Sequence, residues 1–200
     1  MEANEVAEKL VEFEEKENRE DSFRRRVALL ISVLAMLLAI VSAAGGKTAK
    51  EMMAAAIGAS DTWAFYQAKS IRQTSYQLAG DEIETLLLAN PGLSEEARKT
   101  LTERQTHYRD TVKRYDSEAD GSGKKELQEK ARELEHERDV ATAREPYFAF
   151  AEALLQIAIV MASAAVATGA RFLIKLAAGV GVVGVLLALD GWTLLLALPL

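Results

Sequence analysis

Charge falls in blocks along this chain, and that pattern restricts its fold more than any motif does. Residues 1–26 carry nine acidic and six basic side chains, residues 27–46 carry none, residues 47–146 carry 19 and 16, and residues 147–200 carry two of each. Long neutral runs alternating with charged blocks are the mark of a membrane protein. "VALLISVLAMLLAIVSAAGG" (27–46) has 20 uncharged residues, enough at about 1.5 Å per residue to cross a ~30 Å hydrocarbon core. Residues 147–170 and 172–190 supply a second and a third span, separated by Arg171 alone. The first run exceeds the ~7–15 apolar residues of a cleaved signal and follows a 26-residue tail, so it is expected to remain as an anchor.

Basic residues give the expected orientation. Lys16, Arg19 and the triplet Arg24, Arg25 and Arg26 precede span one, while Arg171 and Lys175 lie between spans two and three. Three crossings put both groups on one side, the cytoplasm, with residues 47–146 outside it. In a Gram-negative cell that outside would be the periplasm. The chain has no cysteine, which excludes disulfides and thiolate chemistry, and its net charge of −6 argues against a nucleic-acid partner.

The predicted fold is all-α: three transmembrane helices and an extracytoplasmic helical domain, with no segment alternating at period two. In "NPGLSEEARK" (90–99), Pro91 and Gly92 stop one helix and Ser94 caps the next, with Glu95 and Glu96 in its first turn. "DGSG" (120–123) is the next break. Helices over about 94–119 and 124–146 then read as an antiparallel coiled-coil hairpin. In that register Tyr115 meets Leu127, Tyr108 meets Leu134 and Leu101 meets Ala141, at the cost of setting Arg104 against Arg138. Such a hairpin begins near the membrane, so residues 47–89 must bend back near Gly58-Ala59-Ser60 or Gly80-Asp81, or lie along the surface.

Within that segment, Met53, Ile57, Ser60, Ala64, Gln67, Ile71, Thr74 and Leu78 have coiled-coil spacing with a weak, small-residue core. Trp63, Phe65 and Tyr66 crowd into four positions. They suit an interfacial lipid layer, a neighbouring subunit or intrachain packing.

Other motifs carry little. "GGKT" (45–48) lacks the first glycine and the preceding strand of a phosphate-binding loop. Glu133 and His136 copy half of a di-metal helix motif, and the hairpin register sets His107 at the height of His136, but the second copy of the motif is absent. No catalytic, cofactor or metal site is expected, and the chain is read as no enzyme. Glu152, Gln156 and Asp190 are the intramembrane polar candidates, set either in outer water, around an oligomer's mouth or as a linked pair. Small residues at four-residue spacing (Ala35, Ala39 and Ala43; Ala158 and Ala162; Ala177 and Gly181) allow close helix contact within or between copies. Asp190-Gly191 should end span three and leave an apolar segment over 191–200. Val6, Leu10 and Phe13 give the acidic tail an amphipathic stripe.

The run from Ser60 to Arg72, with its pattern W-x-x-Y-Q-A-K-S-I-[KR], resembles the signature of a bacterial family of small membrane proteins, domain of unknown function 4337. The resemblance implies the anchor and the paired C-terminal spans but no activity. It makes Trp63, Tyr66, Gln67, Lys69, Ser70 and Arg72 candidates for a shared role, with Phe65 beside them. The function expected is a homo-oligomeric membrane assembly, scaffold or pore-like, in contact with lipid and without catalysis. The alternative is an accessory or sensor subunit that binds a different protein through the outer hairpin or the tail.

Overall fold

A computed structural model describes residues 2–118 and 120–196, with side chains from residue 17 onward. Among these are four α-helices and no strand: α1 (Glu2–Ala89), α2 (Glu95–Asp116), α3 (Lys124–Thr168) and α4 (Arg171–Thr193). Three of them, α1, α3 and α4, contain stretches long and apolar enough to cross a membrane. Val6, Leu10 and Phe13 lie outside the described side chains, and residues 197–200 of the apolar terminus lie outside the described residues. The chain forms two units, residues 1–50 with 141–200, and residues 51–140.

In the first unit, α1 contributes Val27, Leu34 and Val41, spaced by seven, to a core with Phe148, Ala151, Leu155, Ala158, Ala162, Ala177 and Ala188. The core is built of small residues because the backbones come close. A Cβ on Gly184 would lie 3.2 Å from the Ala151 carbonyl oxygen, and one on Gly191 would lie 2.8 Å from the Tyr147 Cβ. That approach corrects the expected break at Asp190-Gly191. α4 runs through both residues because Gly191 makes room for Tyr147, and it ends at Leu194, whose φ of 49° is left-handed. Between α3 and α4 the tight turn depends on Gly169, at φ 68°. Of the small-residue faces, those of α3 and α4 are buried within the chain, while Ala35, Ala39 and Ala43 of α1 are exposed.

In the second unit α1 continues without a break to Ala89, so the expected bend near Gly58 or Gly80 does not occur. Asn90, Pro91 and Gly92 then turn the chain. Ser94 accepts a hydrogen bond from the Ala97 N–H at 3.3 Å, and Glu95 and Glu96 occupy the first turn of α2, as its cap chemistry requires. α2 begins where α1 ends and runs back along it. Gln73 bonds to Val112, Tyr76 meets Tyr108, and Gln105 bonds to the Gly80 carbonyl, a constant antiparallel register.

The expected coiled-coil hairpin of α2 with α3 is therefore corrected. Tyr108 packs at Gly80 and Leu134 packs at Gly58. These two positions lie 22 residues apart on one helix, about 33 Å. Tyr108 and Leu134 cannot meet. Both α2 and α3 instead dock against α1, one after the other, and the Arg104–Arg138 opposition does not arise. His107 stays with Tyr108, 6.2 Å between rings, and His136 stays beside Leu134, so the two histidines do not share a height.

Candidate functional site

The signature segment of α1 presents two faces. Thr62, Tyr66, Lys69, Gln73, Tyr76 and Gly80 follow one another at four-and-three spacing, and all are buried or half-buried. This face meets the junction where α2 ends and α3 begins. The stripe Met53, Ile57, Ser60, Ala64, Gln67, Ile71, Thr74 and Leu78 lies roughly opposite and is exposed. The sequence spacing of that stripe is real, but it is not the side that packs within the chain.

Lys69 is the centre of the junction. Its Nζ donates to Glu118 Oε2 at 2.8 Å and to Ser122 Oγ at 2.9 Å, and stands 5.7 Å from the Tyr115 ring centroid. The Ser122 hydroxyl also donates to Glu118 Oε2. The two ion-paired side chains are only 17% and 20% exposed, so the pair is sheltered from most solvent screening. The ammonium also sits by the C-terminal end of α2, where the helix dipole favours a cation. Lys69 first, and Ser122 second, hold the Glu118 carboxyl below the usual carboxylate range. Asp120 is lowered by the Ser122 side chain and backbone, and Glu126 by the Ser117 hydroxyl.

Gln73 ties three elements together. Its Nε2 donates to the Val112 carbonyl (2.9 Å) and to Asp116 Oδ1 (2.8 Å), and its Oε1 accepts from Lys124 Nζ (2.8 Å). Lys124 in turn lies 5.4 Å from the Tyr66 ring centroid. Trp63 meets Tyr66 edge-on at 5.4 Å, and its indole N–H donates to Glu135 Oε1 at 2.9 Å. The crowded aromatics thus divide. Trp63 and Tyr66 are taken up within the chain, and Phe65 is 67% exposed. Of the other signature residues Lys69 points inward, Ser70 is half-buried, and Gln67 and Arg72 are exposed.

Sequence reasoning missed Gln73, Glu118, Ser122, Lys124 and Glu135. The signal for Gln73 was available: Trp63, Tyr66, Lys69, Gln73 and Tyr76 step by three, three, four and three along one helix face. The partners were not, because they depend on which helix lies opposite.

Of the polar candidates of the first unit, two bond to each other and Asp190 bonds elsewhere. Gln156 Nε2 donates to Glu152 Oε1 at 3.3 Å on an exposed face. Asp190 is buried, and its Oδ1 accepts the Leu196 backbone N–H at 2.9 Å. It closes the turn that follows α4, while the Tyr147 hydroxyl donates to the Leu196 carbonyl. Among the described residues no group of three acidic, histidine or cysteine side chains is arranged to hold a metal ion.

The model of the family described as domain of unknown function (DUF4337) matches residues 23–194. The chain belongs to that family. In this DUF4337 chain the match takes in all three apolar stretches and the whole α1–α2–α3 junction. No curated protein and no solved structure matches it.

Proposed function

We propose that this protein is a non-enzymatic, homo-oligomeric scaffold of a bacterial inner membrane, with its N-terminus and the α3–α4 turn in the cytoplasm and residues 47–146 outside. The observation that carries the reading is the exposed face of α1 beyond its apolar stretch. Residues 52–80 include only three charged side chains, Asp61, Lys69 and Arg72, and Lys69 is spent on the α2–α3 junction. α2, a helix with a solvated face, has 11 charged residues among 22. A face with Met53, Ile57, Ile71 and Leu78 all more than half exposed is composed for contact rather than for water.

The test is native mass spectrometry of the detergent-extracted protein. A single fixed copy number supports the scaffold, and a monomer refutes it. A stoichiometric complex with a different chain would favour the second reading, an accessory or sensor subunit. Single cysteines at Ser22, Thr102 and Ser163 report orientation in a cysteine-free chain, and a Thr102→Cys thiol reached only from the cytoplasm would refute it.

A further inference from the structure

We infer that the exposed stripe of α1 pairs, parallel and in register, with the same stripe of a second copy, and that Gln67 bonds to its own counterpart there. The inference rests on the homo-oligomer reading and adds to it a surface, a direction and a register.

Three observations on this face identify a second copy as its occupant. Its spacing comes first. The stripe steps by four and three from Met53 to Leu78, the period of a two-helix seam, on a helix whose opposite face already makes such a seam with α2 and α3. A helix with one partner needs that period on one face only.

Self-complementarity comes second. Copies in one membrane share an orientation, so two α1 helices side by side are parallel and like residues meet. One column of the stripe, Ile57, Ala64, Ile71 and Leu78, is entirely apolar. The other holds Met53 and then Ser60, Gln67 and Thr74, each seven residues apart. A hydroxyl or an amide carries both a donor and an acceptor, so Ser60 and Gln67 can each bond to their own copy, while the Thr74 hydroxyl donates to the Ser70 carbonyl of its own helix at 3.0 Å. A carboxylate or an ammonium could not, and none occurs in either column between Met53 and Leu78. Ser60 and Gln67 are exposed. A neutral polar residue inside an apolar seam fixes register and direction.

Continuity comes third. Counted back from Met53 by the same steps, the sequence reaches Lys50, where the two long side chains must carry their ammoniums out of the seam, and then Gly46, Ala43 and Ala39. Ala39 and Ala43 belong to the exposed small-residue face of the apolar stretch, which favours close helix approach in lipid.

Cysteine trapping in the otherwise wild-type protein tests the seam. Seam positions of a parallel pair fall within the roughly 4.4–6.8 Å Cα separation that a disulfide spans. Ser60→Cys and Thr74→Cys should oxidise to same-chain dimers in native membranes, while Arg72→Cys, off the seam, should not. Gln67→Glu should weaken association by roughly tenfold or more through facing like charges, and mixing it with Gln67→Lys should restore the dimer. A fixed copy number by native mass spectrometry with no preference for Ser60 and Thr74 would overturn the seam and leave the scaffold standing. A monomer would overturn both. Trapping of Ser60→Cys or Thr74→Cys to a different protein would overturn the second copy as occupant.

Discussion

Gly58→Ala is the sharpest probe of the unbroken α1. A Cβ built on Gly58 lies 3.3 Å from Leu134 Cδ1 and 3.6 Å from Cδ2, with Cγ at 4.0 Å. The nearest atoms are methyls at the end of a half-buried side chain, which can give way by a few tenths of an ångström. Against that small cost, Gly→Ala inside a helix gains about 0.5–1 kcal/mol in backbone entropy and propensity. The expected net effect is stabilisation by roughly 0.5 kcal/mol, or a few degrees in midpoint for a unit of this size. Gly58→Leu should instead overpack the α1–α3 contact and cost about 1–3 kcal/mol. Trp63, one helical turn along and bonded to Glu135 of α3, reports the separation of these two helices by fluorescence in a Trp192→Phe background. A Gly58→Ala variant destabilised by about 1 kcal/mol or more would refute the reasoning. It would mean that α1 bends at Gly58, as the chain topology first suggested, and that glycine is there for its conformation rather than for closeness to Leu134.

Other substitutions separate packing from propensity elsewhere. Gly191→Ala should cost about 1–3 kcal/mol, because its Cβ would lie 2.8 Å from the Tyr147 Cβ, which no rotamer moves. Gly179→Ala, with nothing within 4 Å, should be neutral or stabilising in the same thermal assay in micelles. Ser94→Ala removes the bond to the Ala97 N–H and should cost about 1 kcal/mol, seen as faster amide exchange in the first turn of α2. The Glu118 carboxyl is held low in the folded chain by Lys69. Its contribution is therefore fully present above the unfolded carboxylate value and is lost as pH falls through the lower folded value. Acid unfolding followed by Trp63 fluorescence should show a shallower loss below the ordinary carboxylate range in Lys69→Met. Parallel curves for wild type and variant would show that Lys69 does not set that carboxyl.

What could be read from the sequence was whatever a single helix decides alone. The uncharged runs, the stop at Pro91-Gly92, the Ser94 cap and the break over 120–123 are local, and each appears where the residues put it. Asp190-Gly191 read as a helix end because glycine opposes helix, yet there it serves contact with Tyr147, a residue 44 positions earlier. Trp63, Phe65 and Tyr66 leave lipid, a second subunit and intrachain packing all open in the sequence, because three aromatics in four positions cannot share one face. They do not: two turn inward and Phe65 turns out.

The misread hairpin has a more general cause. Leu101, Gln105, Tyr108, Val112 and Tyr115 of α2 repeat at four-and-three steps, as do Leu127, Ala131, Leu134, Arg138 and Ala141 of α3, and the two stripes coincide when folded about 121–122. Matching stripes were read as partners. Yet two helices that dock in succession on a third must each match the period of that third helix, so they match each other without touching. Tyr108 at Gly80 and Leu134 at Gly58 show that case. Periodicity tells which side of a helix is covered, and only the contacts tell by what. The same logic makes the exposed stripe of α1 informative, since it keeps the seven-residue period on a face that nothing among the described residues covers.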